Sequence, residues 1–126
     1  MLFRSPTRVL TYRSLRQSGY TGRIVLLVDN EDGARAEYER AFPGEVVVFD
    51  KAATAATLDE GDNFGDRRAI LYARNACFEV ARKLGVSHFI QLDDDYERFS
   101  VTFDSEGRFN LKGKRATALE IGRAHV

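Results

Sequence analysis

Three short apolar runs along the chain each end in polar residues. They cover about residues 23–29, 45–49 and 87–92. Runs this short that are apolar at successive positions are typical of strands buried on both faces of a parallel sheet. In open α/β sheets the carboxyl ends of such strands form the rim at which ligands bind. The pattern therefore predicts an α/β fold whose polar clusters gather at one rim of the sheet.

Apolar positions recur at helical spacing over residues 7–17, 33–42 and 67–84, which predicts three helices. Asp66 is a candidate N-cap of the last helix, and Gly85 stands where a glycine commonly ends one. Residues 52–66 lose the apolar periodicity and are predicted to form a long loop. The predicted buried stripe of the last helix consists of Ile70, Ala73, Cys77, Val80, Ala81 and Leu84. Cys77 is therefore interpreted as a core residue rather than a nucleophile.

Beyond the last apolar run, the pattern changes to strict alternation. Phe99, Val101 and Phe103 alternate with polar residues, and Phe109 and Leu111 do so again after a turn at residues 104–107. Two alternating stretches joined by a short polar turn predict a β-hairpin.

The third apolar run ends in three consecutive carboxylates, Asp93, Asp94 and Asp95. Adjacent like charges repel, and a divalent cation with a preference for hard oxygen ligands, Mg²⁺ or Mn²⁺, would relieve the repulsion. Alternate residues of a strand share a face, so Asp93 and Asp95 are predicted to face the metal and Asp94 to turn away. The alternative interpretation is a solvated acidic turn.

Polar residues also follow the other two strands and mark one face of the last helix. Arg67 and Arg74 lie seven residues apart on this helix and share one face. Cations near a helix N-terminus are unfavourable unless an anion lies close, so the pattern predicts a phosphate-binding site there. The alternative is a solvated basic face. The predicted ligand-binding set is Asp29, Asn30, Lys51, Arg67, Arg74 and Asn75.

The composition is that of an ordinary soluble domain. The chain has 126 residues, is 44% hydrophobic and 30% charged, and carries no net charge. No overall basic surplus indicates nucleic acid, although residues 112–115 form a small basic cluster. One cysteine excludes an internal disulfide, and no membrane-length apolar run is visible. We therefore expect a cytoplasmic protein without a membrane partner.

The two ends of the chain look like translated sequencing adapter. Residues 121–126 match an adapter read forwards, and residues 1–5 match its reverse complement. We therefore expect residues 1–5 and about 120–126 to be adapter-like scars, excluded from fold reasoning as expression tags are. Residues 6–111 would then form a truncated α/β domain and residues 112–119 a basic tail. An ordinary polar C-terminus is the alternative.

The order of elements resembles the nucleotide-sugar-binding half of glycosyltransferases with the A-type fold, a three-layer Rossmann-like fold. The resemblance rests on Tyr72-Ala73-Arg74-Asn75-Ala76 in the last helix and on Gln91-Leu92-Asp93-Asp94-Asp95-Tyr96, which is similar to the metal-binding D-x-D motif. More narrowly, the runs 62–64, 73–77 and 92–96 resemble the TET-associated glycosyltransferases. Those phage and bacterial proteins are proposed to glycosylate hydroxymethylated pyrimidines in DNA.

The resemblance implies roles for individual residues. Asp93 and Asp95 would hold a divalent metal, Mn²⁺ or Mg²⁺, that bridges the diphosphate of a nucleotide-sugar donor. Arg74 would neutralise the diphosphate, Asp29 would meet the uracil or ribose end, and Asp94 would approach the sugar. Modified DNA would be the acceptor.

Two departures from the complete A-type pattern bear on activity. The first strand of such folds would precede Pro6, and the acceptor-binding half would follow the hairpin. The chain as it stands is therefore expected to have weak or no transferase activity. A nucleotidyltransferase of related fold and a non-catalytic α/β interaction module remain as alternatives.

Overall fold

The computed structural model describes residues 6–58, 70–108 and 114–116, with Val101 and the last three described by their backbone alone. Arg67, Asp66 and the adapter-like ends lie outside the described residues. The chain divides into two compact units. Of the described residues, unit 1 contains Pro6 and those from Ile24 to Gln91, and unit 2 contains Thr7–Arg23 and those from Leu92 onwards.

Unit 1 is a mixed α/β unit built on two parallel strands. The first helix of the chain, α1 (Leu10–Gln17), belongs to unit 2. The elements of unit 1 are β1 (Leu26–Asp29), α2 (Arg35–Ala41), β2 (Val46–Phe49), α3 (Lys51–Ala56) and α4 (Leu71–Lys83). The register pairs Leu26 with Val46 and Asp29 with Phe49. Because the strands are in register and parallel, they end together at one edge. The first two predicted strands and the helix between them are confirmed.

The core of unit 1 lies between the strands and α4. Phe49, Tyr72 and Ala76 form a buried cluster against which Leu27 packs. Tyr72 is completely buried. Val28, the next residue along β1, is buried on the opposite face of the strand, and α2 contacts this strand. Both faces of β1 are therefore covered, as its continuous apolar sequence predicts.

The buried face of α4 differs from the predicted stripe. Val80 and Ala81 are buried as expected, but Ile70 is 53% exposed and the principal core residue is Tyr72. The helix begins at Leu71, so Ile70 occupies the N-cap position and is not held on the helical face. At the other end Gly85 has φ +68°, which confirms its predicted role, because this backbone conformation strongly favours glycine.

The prediction of a loop from residue 52 is wrong for its first part. Lys51–Ala56 form helix α3, with Asp50 as N-cap accepting a hydrogen bond from the N–H of Ala53 at 2.9 Å. Alanine has the highest helix propensity, and α3 contacts α4. Residues 59–69 lie outside the described chain.

The third predicted strand, residues 87–92, is also wrong. The segment has no strand pairing in the described part of the chain, and Ile90 is 84% exposed. Side chains hold the segment instead: Phe89 packs edge to face on Phe78 with ring centroids 5.4 Å apart, and Gln91 Nε2 donates to the carbonyl of Arg74 at 2.8 Å. An apolar run becomes a strand only where a neighbour supplies a ladder of hydrogen bonds.

Unit 2 combines a helix with an antiparallel strand pair. Its elements are α1 (Leu10–Gln17), β3 (Val101–Phe103) and β4 (Lys114–Ala116), preceded by a 3₁₀ turn (Pro6–Arg8) whose first residue belongs to unit 1. β3 pairs antiparallel with β4, which confirms an antiparallel pair after the acidic residues. The predicted second stretch around Phe109 and Leu111 lies outside the described residues. No helix in the described ranges is long and apolar enough to cross a membrane.

Candidate functional site

Asp29 and Lys51 meet where the two parallel strands end. Asp29 is the last residue of β1, and Lys51 is the first residue of α3, two positions after β2 ends. Lys51 Nζ lies 3.4 Å from Asp29 Oδ2, and the two side chains are only 7% and 18% exposed. Burial of a charged ammonium group is costly unless a negative group lies beside it, and Asp29 supplies that group.

Asn30 connects the carboxyl ends of the two strands through its backbone and its side chain. Its N–H donates to the carbonyl of Phe49 at 3.0 Å, and its Oδ1 accepts from the N–H of Lys51 at 3.0 Å. Asp29 Oδ1 accepts from the N–H of Glu31 at 2.9 Å. The structure thus brings Asp29, Asn30 and Lys51 together, as expected for polar residues at the carboxyl ends of neighbouring parallel strands.

Arg74 and Asn75 lie on α4, where the sequence places them. Arg74 is exposed, and its carbonyl accepts the hydrogen bond from Gln91. Asn75 Nδ2 donates to the carbonyl of Leu71 at 2.8 Å, one turn back along the same helix. This contact uses one of the two N–H donors of the Asn75 amide and leaves the other for a ligand. Arg67, the remaining predicted member of the set, lies outside the described residues.

The acidic residues of unit 2 form a turn, which we call the acidic turn and define as Asp93–Tyr96. Asp93 and Asp94 are half-buried, and Asp95 is exposed. Because Asp94 and Asp95 occupy a turn rather than a strand, strand alternation does not decide which carboxylates share a face. The assignment of Asp93 and Asp95 to a metal remains a prediction.

The acidic turn is fastened to α1 through its backbone. The Thr11 hydroxyl donates to the carbonyl of Asp93 and accepts from the N–H of Tyr96 at 2.9 Å. The N–H of Thr11 donates to the carbonyl of Asp94 at 3.2 Å. Ser14 Oγ donates to the carbonyl of Tyr96 at 2.8 Å. These four contacts engage backbone groups of the turn and not its carboxylates.

No grouping of three or more His, Cys, Asp or Glu side chains suited to a metal ion occurs among residues 6–58, 70–108 and 114–116. A metal site that its substrate completes needs fewer protein ligands. Mg²⁺ in nucleotide sites is usually bound by one or two carboxylates, with water and substrate phosphates completing its shell. Aspartate carboxylates such as those of the acidic turn have the right chemistry for a site of this kind.

A sequence profile of the TET-associated glycosyltransferases matches residues 6–121. The chain belongs to this family. Comparison with curated proteins and with solved structures finds no significant match. A TET-associated glycosyltransferase requires a sugar donor and an acceptor in general terms, and the motifs in helix α4 and the acidic turn lie within the matched region.

Sequence reasoning missed Thr11 and Ser14 in this TET-associated glycosyltransferase. They lie 82 residues or more before the groups they bind, so no local pattern reveals the contact. One signal was present: Thr11, Ser14 and Ser18 recur at helical spacing, and all three are buried. Buried hydroxyl groups along one helical face need hydrogen-bond partners, which indicates a polar segment packed there.

Cys77 lies on α4, is half-buried and is not in a disulfide. Burial raises the pKa of its thiol above the ordinary value, so little thiolate is present at neutral pH. A nucleophilic cysteine requires the opposite shift, and the prediction that Cys77 serves packing is consistent with this environment.

Proposed function

We propose that the chain binds a nucleotide-diphospho-sugar donor together with a divalent metal, as the donor-binding part of a metal-dependent glycosyltransferase. Membership of the TET-associated family supports sugar transfer as the reaction class. The observation that carries the metal-dependent part is the acidic turn, in which three consecutive aspartates are kept in one turn by hydrogen bonds to Thr11 and Ser14. Carboxylates are the usual protein ligands of Mg²⁺ in nucleotide sites.

We propose that the parallel pair β1–β2 belongs to a three-layer, Rossmann-like sheet of the nucleotide-diphospho-sugar transferase type. Three features support this: the strands are parallel and in register, helix α2 connects them, and their polar residues follow the carboxyl ends. In open α/β sheets this edge receives nucleotides.

Within unit 1, we propose that Asp29 accepts a hydrogen bond from the ribose or uracil of the donor. A carboxylate offers about four acceptor positions, and the contacts with Lys51 and with the N–H of Glu31 use two of them. Lys51 and Asn30 keep the carboxylate in place. Arg74, exposed on α4, is proposed to neutralise phosphate charge, with Asn75 beside it.

Within unit 2, we propose that Asp93 and Asp95 hold Mn²⁺ or Mg²⁺, and that Asp94 approaches the sugar. A bound metal stabilises negative charge on a departing nucleoside diphosphate as a Lewis acid. The hydrogen bonds from α1 would hold the backbone that carries these carboxylates before the metal binds, which reduces the conformational entropy lost on binding.

We propose a hydroxymethylated pyrimidine in DNA as the acceptor, on the basis of family membership. The chain has no net charge, so any DNA affinity must come from local basic residues. Binding to phosphates weakens as salt rises, in proportion to the number of contacts. A binding isotherm for hydroxymethylated duplex DNA at several salt concentrations therefore tests the acceptor separately from the donor.

The donor site is tested by calorimetric titration of UDP and UDP-glucose in the presence and absence of Mn²⁺. We expect nucleotide binding that requires the metal and is lost in an Asp93→Asn, Asp95→Asn double variant. A Glu37→Gln, Glu39→Gln variant removes the same charge from the exposed face of α2 and should bind as the wild type does.

Two results would contradict the proposal. One is equal binding with and without metal, and the other is equal binding by the wild type and the aspartate variant. The nucleotidyltransferase alternative makes a different prediction, since it releases pyrophosphate from a nucleoside triphosphate in the presence of a sugar phosphate, whereas sugar transfer releases a nucleoside diphosphate.

A further inference from the structure

Thr11 forms hydrogen bonds with both the first and the last residue of the acidic turn. Its hydroxyl donates to the carbonyl of Asp93, the first residue of the turn, and accepts from the N–H of Tyr96, the last. A hydroxyl has one donor and two acceptor positions, so one side chain can close the turn in this way. Valine has the same shape but offers neither a donor nor an acceptor.

The contacts of Thr11 are not those of an ordinary helical threonine. A threonine in a helix commonly donates to the carbonyl four residues earlier. Thr54 of α3 does this, donating to the carbonyl of Asp50 at 2.9 Å. Thr11 is buried to a similar degree as Thr54, but its hydroxyl serves a segment 82 to 85 residues away. Thr54 is therefore a matched control for the loss of a buried hydroxyl.

We propose that Thr11, supported by Ser14, is a positioning residue that sets the carboxylates of Asp93 and Asp95 for the divalent metal. This inference rests on the proposed metal-dependent function. The hydrogen bonds from α1 hold the backbone of the turn at its first and last residues, from which the side chains project. Groups that orient metal ligands typically contribute about 10–100-fold to metal affinity, and Thr11 does so by holding the ligand backbone.

The test compares Thr11→Val, Thr11→Ser and Thr54→Val at a temperature where circular dichroism shows all of them folded. Mn²⁺ affinity is measured by electron paramagnetic resonance of the unbound ion, and exchange of the Tyr96 amide by NMR. We expect Thr11→Val to weaken Mn²⁺ binding about tenfold and to accelerate exchange of the Tyr96 amide. Thr11→Ser should restore both, because it keeps the hydroxyl, and Thr54→Val should change neither.

A second variant covers the case in which Thr11→Val does not fold. Ser14→Ala removes the hydrogen bond to the Tyr96 carbonyl and should weaken Mn²⁺ binding in the same direction, by a smaller factor. A purely structural role for α1 predicts lower stability in these variants with Mn²⁺ affinity unchanged.

The outcomes separate this inference from the proposed function. Wild-type Mn²⁺ affinity in both Thr11→Val and Ser14→Ala, with binding still abolished by the Asp93→Asn, Asp95→Asn variant, would overturn the positioning role and leave the metal site intact. No Mn²⁺ binding by the wild type would overturn the metal site and the positioning role together. In that case slow exchange of the Tyr96 amide would still confirm the hydrogen bond.

Discussion

Replacement of Ile90 by alanine tests the placement of the segment before the acidic turn. The apolar sequence of residues 87–92 predicts a buried strand, whereas the structure leaves Ile90 84% exposed. Full burial of an isoleucine side chain contributes about 1.5–3 kcal/mol, and only about a sixth of this side chain is covered. We therefore expect Ile90→Ala to lower the free energy of unfolding by about 0.5 kcal/mol or less.

The assay is urea denaturation, with the midpoint compared at constant slope. Tyr72→Ala is the positive control in the same unit, since Tyr72 is completely buried and its truncation should cost about 3 kcal/mol or more. A cost of about 2 kcal/mol or more for Ile90→Ala is the range for core residues and would refute the exposed placement. Such a cost would indicate that the Ile90 side chain is buried, as the sequence predicts.

Three further changes test local features. Gly85→Ala should cost about 1 kcal/mol of unfolding free energy, because φ +68° is strained for alanine, and Gly85→Asn should cost less. Asp50→Ala removes the N-cap of α3 and should cost about 1 kcal/mol, whereas Asp50→Asn keeps the acceptor; urea denaturation measures both pairs. Cys77 should react with a disulfide reagent at pH 8 more slowly than a small free thiol, because burial raises its pKa. Because the pKa of this thiol is higher in the folded than in the unfolded protein, its contribution to the free energy of unfolding is fully present below the ordinary thiol pKa. The contribution should be lost as the pH rises through the raised pKa, and Cys77→Ala should lack this pH dependence.

Local pattern was sufficient for the parallel strands of unit 1. Each is a short apolar run between polar or turn residues, and each buries residues on the side facing the helices. The same reasoning placed Asp29, Asn30 and Lys51 at one edge, because parallel strands that are in register end together. Gly85 was identified for a related reason, since a positive φ is a local requirement that strongly selects glycine.

The errors arise where a local signal is weak or a distant partner decides. Residues 51–56 have no apolar stripe, and their helix depends on the Asp50 cap and on contact with α4. The run 87–92 has strand propensity, but a strand also needs a paired neighbour. The pairing of Val101 with Ala116 is likewise non-local, since the two residues lie 15 positions apart in the chain.

The acidic turn shows how a weak local signal and a distant partner both limit prediction from the sequence. Its composition indicates metal chemistry, but the sequence could not predict that Thr11 and Ser14, 82 or more residues earlier, would hold its backbone. The arrangement of carboxylates was inferred from strand geometry that the segment does not adopt. The residue types that carry the proposed chemistry were therefore identifiable, while the groups that orient them were visible only in the structure.

The most direct test of metal binding at the acidic turn is a Mn²⁺ titration of ¹⁵N-labelled protein followed by NMR. Paramagnetic Mn²⁺ broadens the amide signals nearest to it first, and diamagnetic Mg²⁺ competes for the same site without broadening. We predict that the signals of Asp93–Tyr96 broaden at the lowest Mn²⁺ concentrations, that Mg²⁺ reverses this, and that an Asp93→Asn, Asp95→Asn variant abolishes it. Broadening centred on other carboxylates, or unchanged in that variant, would contradict the account.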